Sequence, residues 1–212
     1  IIDDLSKAIE LDPKNKDTYG YRGFAKASLE DYQGAIDDYS KAIELDPKNE
    51  YLFVKRGYAK SRLEDYQGAI DDYSKALESD PNHSKVWSDR GSARFYLKDY
   101  HGAIDDYSKI IELDPKNVNA WSNRALAKAN SEDYQGAIDD CAKVIKLDPK
   151  NVNTWSNRGN IKFDFEDYQG AIDDYSKAIE LNPDDKFKKK LLQSRSEAYK
   201  LLSEIDLNNS QN

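Results

Sequence analysis

The sequence is poor in the two side chains that most often carry catalytic and metal chemistry. Among 212 residues there is one cysteine, Cys141, and there are two histidines, His83 and His101. A single cysteine excludes an internal disulfide and favours a reducing, cytoplasmic compartment, although it leaves the location open. Two histidines in unrelated sequence contexts are too few to indicate a metal site or acid–base catalysis. We therefore expect no metal, no cofactor and no enzyme activity in this chain.

An excess of positive charge and long apolar runs are also absent. The chain has 32 lysines and arginines against 40 aspartates and glutamates, which gives a formal charge of −8. Recognition of a phosphate backbone needs a clustered basic face, so nucleic acid is disfavoured as a partner. No apolar stretch is long enough to cross a bilayer, and we expect no direct membrane binding within this chain. The hydrophobic fraction of 38% nevertheless predicts a folded protein.

Proline is rare, but its spacing is regular. The chain contains six prolines, and every interval between them is 34 residues. They are Pro13, Pro47, Pro81, Pro115, Pro149 and Pro183. A fixed period of this size indicates a repeat array in which each unit is one supersecondary element. The period therefore replaces the usual expectation of one or two globular domains.

Each repeat divides into two amphipathic helical patterns. In the first complete repeat these patterns cover residues 18–29 and 32–45, with apolar residues three and four apart. Asp31 is a favourable N-cap for the second pattern, because its carboxylate can accept a bond from an amide of the first turn. Pro47 ends that pattern, since proline disfavours helical geometry at the residue before it. The sequence thus predicts a series of helix pairs.

Particular residue types recur at fixed positions when each repeat is numbered from residue 16, 50, 84, 118 or 152. Position 4 is aromatic in Tyr19, Phe53, Trp87, Trp121 and Trp155. Position 8 is small in Gly23, Gly57, Gly91, Ala125 and Gly159. Position 20 is alanine in Ala35, Ala69, Ala103, Ala137 and Ala171. This pattern resembles that of the tetratricopeptide repeat family. Within the family it is similar to the bacterial-type arrays of near-identical 34-residue repeats. The resemblance covers nearly all of the chain and implies an all-α, right-handed superhelical solenoid of antiparallel helix pairs.

The period also sets the expected domain boundaries. Five complete repeats span residues 16–49, 50–83, 84–117, 118–151 and 152–185. Residues 1–15 match only the second helix of a truncated repeat, so we expect the chain to be a fragment. We expect residues 186–212 to form a C-terminal capping helix followed by a frayed polar tail from Ser203 onward.

Every second helix carries two adjacent aspartates, for example Asp37 and Asp38. A metal ladder is one interpretation, but adjacent helical residues diverge by about 100° and cannot easily chelate one ion. Position 7 of each repeat is arginine, where family members have leucine, and we interpret it as the partner of the second aspartate. The predicted ion pairs are Arg22 with Asp38, Arg56 with Asp72, Arg90 with Asp106, Arg124 with Asp140 and Arg158 with Asp174.

Cys141 occupies a position that is tyrosine in the other repeats. The corresponding residues are Tyr39, Tyr73, Tyr107 and Tyr175. Neither histidine lies in the same repeat as Cys141, so a base for nucleophilic catalysis is missing there. We therefore interpret Cys141 as a small core residue.

The resemblance also implies a ligand-binding face. In the family, positions 2, 5, 6, 9, 12 and 13 of the first helices line the concave surface. The candidates at such positions are Tyr21, Phe24, Lys55, Tyr58, Arg62, Asp89, Ser92, Phe95, Tyr96, Asn123, Leu126, Asn157, Asn160 and Phe163. Aromatic side chains bind partners at low entropic cost, and asparagine offers both a donor and an acceptor to a peptide backbone. We predict a non-catalytic scaffold that binds a peptide segment of a partner protein along this groove.

Other interpretations remain beside this one. The array could be a regulatory or substrate-recruiting module of a larger enzyme whose catalytic domain lies outside this fragment. Apolar residues of the lone N-terminal helix at residues 1–11, Ile2, Leu5 and Ile9, could support self-association through the terminal helices. Chaperone-binding relatives carry a clamp of lysine, asparagine and arginine for a terminal carboxylate, and this sequence does not reproduce it. We therefore expect no typical carboxylate clamp.

Overall fold

The computed structural model describes residues 1–181 and 184–210, and these residues form twelve α-helices and no β-strand. Pro183, the last of the six prolines, lies outside the described residues. The helices are α1 (Ile2–Leu11), α2 (Lys16–Ser28), α3 (Tyr32–Leu45), α4 (Glu50–Arg62), α5 (Tyr66–Ser79), α6 (Ser84–Tyr96), α7 (Tyr100–Leu113), α8 (Val118–Asn130), α9 (Tyr134–Leu147), α10 (Val152–Asp164), α11 (Tyr168–Glu180) and α12 (Asp185–Ser210). We call α2, α4, α6, α8 and α10 the first helices, and α3, α5, α7, α9 and α11 the second helices.

The second helices all begin with the same cap. The Asp31 carboxylate accepts a hydrogen bond from the Gly34 amide at 2.9 Å. A Cβ atom at Gly34 would collide with that carboxylate, so the cap requires glycine at this position in its present geometry. The same bond is made by Asp65, Asp99, Asp133 and Asp167. The cap thus accounts for the glycine that recurs in the first turn of every second helix.

The turn inside each helix pair contains a residue with left-handed backbone geometry. Glu30 has a φ of 63°, in the region that glycine adopts most easily. The equivalent residues are Glu64, Lys98, Glu132 and Glu166. The amide after the turn bonds back to the first helix, as the Asp31 N–H does to the Lys26 carbonyl at 3.0 Å. A charged side chain at this position is tolerated on the surface but strains the backbone.

The chain divides into two compact units, an N-terminal unit of Ile1–Leu113 and a C-terminal unit that begins at Asp114. In the N-terminal unit each first helix packs against its own second helix, and each second helix packs against the next first helix. The C-terminal unit repeats this order from α8 to α12. Each of the two units is therefore an all-α solenoid of consecutive helix pairs.

Helices of one pair approach closely because position 8 is small. A Cβ atom at Gly23 would lie 2.9 Å from Cε1 of the Tyr39 ring, which is closer than packed carbon atoms sit. Tyr39 is 1% exposed, and Ala35 and Ala42 beside it are fully buried. Glycine on one helix and tyrosine on the other therefore interlock in the core of the pair.

The C-terminal segment differs from the sequence-based expectation. The polar tail predicted from Ser203 onward belongs to α12, which is one continuous helix as far as Ser210. Leu202 packs against the core cluster that contains Leu191 and Ala198. Residues 203–208 are exposed, so the helix continues past Leu202 into the polar segment; residues 211–212 lie outside the described part of the chain.

Candidate functional site

The acidic residues of the second helices are held in buried charge clusters. In the first complete repeat, Arg22 donates to both carboxylate oxygens of Asp38, from Nε at 2.9 Å and from Nη2 at 2.6 Å. Lys26 Nζ lies 2.8 Å from Asp38 Oδ2. The Asp38 side chain is only 5% exposed. One carboxylate therefore accepts from two cations in a desolvated position, where charge-assisted bonds are strong.

The other four complete repeats hold the same cluster. The groups are Arg56 and Lys60 on Asp72, Arg90 and Arg94 on Asp106, Arg124 and Lys128 on Asp140, and Arg158 and Lys162 on Asp174. Sequence reasoning proposed the arginine partners but missed the second cation at position 11. The signal was present, because positions 7 and 11 are four residues apart and share one helix face in every repeat.

Both oxygens of each of these carboxylates accept hydrogen bonds from the arginine of the same repeat. Burial raises the pKa of the Asp106 carboxyl, while the hydrogen bonds and charges of Arg90 and Arg94 oppose that effect. The neighbouring aspartates face solvent. Asp37, for example, accepts a hydrogen bond from the side-chain amide of Gln33 at 3.0 Å. The two members of each acidic pair therefore lie in different environments, and the arrangement is that of structural ion clusters.

The tryptophans at position 4 extend these clusters outward. The Arg90 guanidinium lies 4.7 Å from the centroid of the Trp87 ring, and the indole N–H donates to the Pro81 carbonyl at 2.7 Å. The same contacts join Trp121 to Arg124 and Pro115, and Trp155 to Arg158 and Pro149. The periodic proline, the aromatic residue and the arginine are thus one connected unit.

The exposed faces of the first helices in the N-terminal unit carry aromatic and cationic side chains. Tyr21 is 67% exposed and Phe24 is 52% exposed on α2. On α4 the Lys55 ammonium lies 5.9 Å from the Phe24 ring centroid and 5.0 Å from that of Tyr51. Lys55 therefore links the aromatic groups of two neighbouring first helices.

Three of the candidates meet in one depression between α4 and α6. Lys55, Tyr58 and Asp89 line a cavity of about 490 Å³. Arg62 lies one turn further along α4, where it donates to the Tyr58 hydroxyl at 3.0 Å and covers the Tyr32 ring at 4.8 Å. Asp89 is paired with Lys85 on its own helix. This depression presents charges of both signs beside an aromatic ring.

The remaining candidates of the N-terminal unit lie near the end of α6. Tyr96 is 65% exposed and stacks on Tyr66, with ring centroids 5.0 Å apart. Phe95 is half-buried, edge-on to Tyr100 at 5.3 Å. The Ser92 hydroxyl donates to the Ser88 carbonyl. Tyr96 is therefore open to a partner, whereas Phe95 also stabilises its own repeat.

The exposed faces of the C-terminal unit are rich in amides. Leu126, Asn157 and Asn160 line a common pocket, whereas Asn123 is half-buried on α8 outside it. Asn160 Oδ1 accepts a bond from the Tyr175 hydroxyl at 2.9 Å. Phe163 is half-buried against Tyr168, with centroids 5.4 Å apart. Sequence reasoning named most of this face but not the pocket, which depends on the packing of three helices.

Cys141 forms part of the floor of that pocket and is 3% exposed. Burial raises the pKa of its thiol to about 12. A neutral, desolvated thiol is a poor nucleophile and behaves as a small apolar group. Within residues 1–181 and 184–210, no group of three or more histidine, cysteine, aspartate or glutamate side chains could hold a metal ion. None of the described helices is both long and apolar enough to span a membrane.

The helix pairs, the small residues at their contacts and the 34-residue period define a helical-repeat protein. Models of the tetratricopeptide repeat match residues 17–49, 51–83, 84–117, 118–151 and 152–185. The matches cover more than half of the chain, and the chain belongs to the tetratricopeptide repeat family. No curated protein sequence matches it.

Several solved structures share this fold at low sequence identity. YrrB, a TPR protein with an unusual peptide-binding site, is 23% identical, with a TM-score of 0.75 over 89% of this chain and 97% of that chain. MamA from Desulfovibrio magneticus RS-1 is 20% identical, with a TM-score of 0.72 over 78% and 94% of the two chains. A tetratricopeptide repeat protein from Parabacteroides merdae is 20% identical, with a TM-score of 0.64 over 92% and 91%. These similarities show the fold.

Proposed function

We propose that this chain is a non-catalytic protein-interaction scaffold whose first helices bind a peptide segment of a partner. Its family supports the general role, since such repeats typically serve as scaffolds. The observation that carries the finer proposal is the set of exposed aromatic side chains on the outward faces of successive first helices. Tyr21, Phe24, Tyr58 and Tyr96 are all between 44% and 67% exposed. Repeated exposure along equivalent faces is more than scattered surface hydrophobicity.

The two units offer a peptide ligand different chemistry. Lys55 and Asp89 in the N-terminal unit can each select an opposite charge on the ligand, so they favour one register of a charged motif. Asn123 and Asn157 in the C-terminal unit can donate to and accept from a peptide backbone. The peptide-binding site of YrrB gives a precedent on the same fold. An unstructured ligand loses conformational entropy on binding, so we expect micromolar affinity.

The test is a peptide selected from a random display library on the immobilised chain, followed by calorimetric titration of variants. Asn123→Ala with Asn157→Ala, and separately Tyr58→Ala with Tyr96→Ala, are expected to weaken binding about tenfold or more. The matched control is Gln135→Ala with Gln169→Ala, which changes exposed amides on second helices. Circular dichroism checks the fold of each variant. Equal binding by both groove variants and the control would move recognition away from the first helices.

The terminal helices support a second proposal, self-association between copies. Asp4 on α1 lies 34 residues before Asp38, at the register of the buried aspartates, yet its side chain is 82% exposed. Arg195 on α12 donates to Ser176 at 3.1 Å, just as Arg22 donates to Ser6 at 3.0 Å. By these contacts α1 is a second helix and α12 is a first helix. We propose that α12 of one copy covers α1 of the next, with Arg195 bound to Asp4.

An apolar trough beside α1 would be covered in this contact. It has a volume of about 910 Å³ and is lined by Ile2, Leu5, Tyr21 and Phe24, among others. Light scattering over a range of concentrations is expected to show association that Asp4→Arg removes. The charge swap Asp4→Arg with Arg195→Asp should restore it, because the pair is re-formed with opposite sign. A parent chain that stays monomeric at high concentration would refute this contact.

A further inference from the structure

The repeat of residues 118–151 differs from the other complete repeats at two facing positions. Where its second helix has Cys141, the others have a buried tyrosine, and where its first helix has Ala125, the others have glycine. The two changes are physically linked. In the next repeat, a Cβ atom at Gly159 would lie 2.7 Å from Cε1 of Tyr175, so the tyrosine ring excludes any larger residue there. Ala125 is compatible with this fold because the ring is absent.

The missing ring leaves a pocket. A cavity of about 220 Å³ lies between α8, α9 and α10, with Ala125, Cys141 and Ile161 among its lining residues. Its rim includes Leu126, which is 50% exposed, and Asn157, which is exposed on α10. The pocket therefore opens on the same first-helix faces to which ligand binding is assigned above.

The pocket lies where the tyrosine side chain of the other repeats would run. In the next repeat the Tyr175 ring reaches from the second helix to the exposed face, where its hydroxyl donates to Asn160. In the preceding repeat the Tyr107 hydroxyl lies 3.3 Å from Ser92 Oγ. Both polar partners occupy position 9 of a first helix, and Leu126 holds that position here. The pocket thus occupies a slot that takes an aromatic ring elsewhere in the same chain.

The residues that line the pocket suit an aromatic ring. Ala125, Ala129 and Ile161 give apolar sides, and the neutral Cys141 thiol gives a polarisable floor. Ser122, Asn157, Asn160 and Asp164 provide hydrogen-bonding groups among the lining residues. An apolar cavity of about 150 Å³ can admit benzene, so this volume accommodates a phenyl or phenol group.

We propose that this pocket receives an aromatic side chain, tyrosine or phenylalanine, from the bound partner segment, in place of the ring that this repeat lacks. The proposal rests on the peptide-binding function proposed above and names an anchor residue of the ligand. Aromatic side chains that fill a desolvated pocket are the usual energetic centres of protein interfaces.

The first test uses small probes and needs no partner. N-acetyl-tyrosinamide and p-cresol are titrated into the chain, with N-acetyl-leucinamide as the aliphatic control, and amide chemical shifts are followed by NMR. We expect saturable shifts at Ala125, Leu126, Cys141 and Asn157 with the aromatic probes. The variant Ala125→Gly with Cys141→Tyr restores the glycine–tyrosine pair of the other repeats and fills the pocket. It is expected to lose these shifts, with affinity at least about tenfold lower.

Two results would overturn the proposal. One is equal shifts in the parent and the filled variant, and the other is equal binding of the leucine and tyrosine probes. If the filled variant fails to fold by circular dichroism, Leu126→Trp is the substitute, because it covers the mouth of the pocket from an exposed position. Loss of the aromatic shifts in that variant supports the pocket, and unchanged shifts refute it.

A second test separates this inference from the general groove function. The peptide selected on the parent chain should contain an aromatic residue whose change to alanine weakens binding about tenfold or more. The filled variant should show the same loss with the parent peptide. If Asn123→Ala with Asn157→Ala weakens binding but the filled variant does not, the groove function stands and the pocket proposal fails. If no peptide binds at the first helices, the groove function fails, while the probe titration still decides whether the pocket takes a ring.

Discussion

The interior of the helix pairs and the exposed faces of the first helices follow opposite rules. Inside, all five complete repeats hold one aspartate between two cations, and four of them pack a tyrosine against a glycine. Outside, equivalent positions carry unrelated side chains, such as Tyr58, Ser92, Leu126 and Asn160 at position 9. The constant interior sets the fold, and the variable surface is free to define a ligand.

Cys141 is the exception that connects the two regions. It is an interior position that departs from the pattern of the other repeats, and the departure opens a pocket on the exposed face. A change in the core therefore alters the surface chemistry of one repeat without any change in its helices. In the binding role proposed above, ligand selection would depend on the interior of this one repeat as well as on the outer side chains.

The contrast between interior and surface is tested most strongly by Asp72 and its neighbour Asp71. Asp72→Ala leaves the half-buried Arg56 and Lys60 without their carboxylate, and we expect a loss of about 3–5 kcal/mol in the free energy of unfolding. The control is Asp71→Ala, since Asp71 is exposed and accepts a hydrogen bond from Gln67 on the helix surface. That variant should differ little from the parent. Urea unfolding followed by circular dichroism measures both, and equal stabilities would contradict the structural role of the buried aspartate.

Alkaline pH should distinguish buried from exposed tyrosines. Burial raises the pKa of Tyr175 from 10.0 to about 12. As the pH rises, the unfolded chain loses this proton first, so the contribution to stability is full below pH 10 and is lost between pH 10 and about 12. The parent should lose about 2–3 kcal/mol more than Tyr175→Phe across this window.

The control for this pH effect is Tyr199→Phe, because Tyr199 is 52% exposed. Its pH profile of stability should follow that of the parent. The measurement is the urea midpoint at several pH values between 9 and 12. Parallel profiles for the parent and Tyr175→Phe would show that the buried hydroxyl does not contribute to alkaline unfolding.

The smallest effect concerns two exposed lysines, one in the turn between two helices and one within a helix. Lys98 has a φ of 62°, whereas Lys109 lies within α7. Lys98→Gly should stabilise the chain by about 1 kcal/mol, because it removes a left-handed strain. Lys109→Gly should destabilise it by about 1 kcal/mol, because glycine is a poor helix former. Thermal melts compare the two variants, and a shift of the same sign in both would argue against strain at the turn.

Most of the fold could be predicted because its determinants are local and repeated. The helix pairs follow from three-and-four spacing, from capping residues such as Asp31 and from the proline at the end of each repeat. The extent of α12 could not be read in this way, because residues 203–208 are helical although they are exposed and mostly polar. Polar composition alone indicated a frayed tail from Ser203, and that prediction was wrong as far as Ser210.

The sequence could predict which residues lie at the candidate site, but not how exposed each side chain is. Exposure of Tyr21 and Tyr96 agrees with a surface role, but Phe95 and Phe163 also pack against tyrosines of their own repeats. A helix position specifies the direction of a side chain, whereas its accessibility depends on the neighbouring helix. The binding role of these residues stays a prediction.

By itself the sequence determined the period, the helix pairs and the partners of the arginines, because each depends on spacing along one or two helices. The tertiary structure alone decided which side chains share a space. It added the second cation to each buried aspartate and opened a cavity beside Cys141. Charge clusters and cavities arise where side chains from different helices converge, and the volume left between three packed helices is not encoded in the spacing of any one of them.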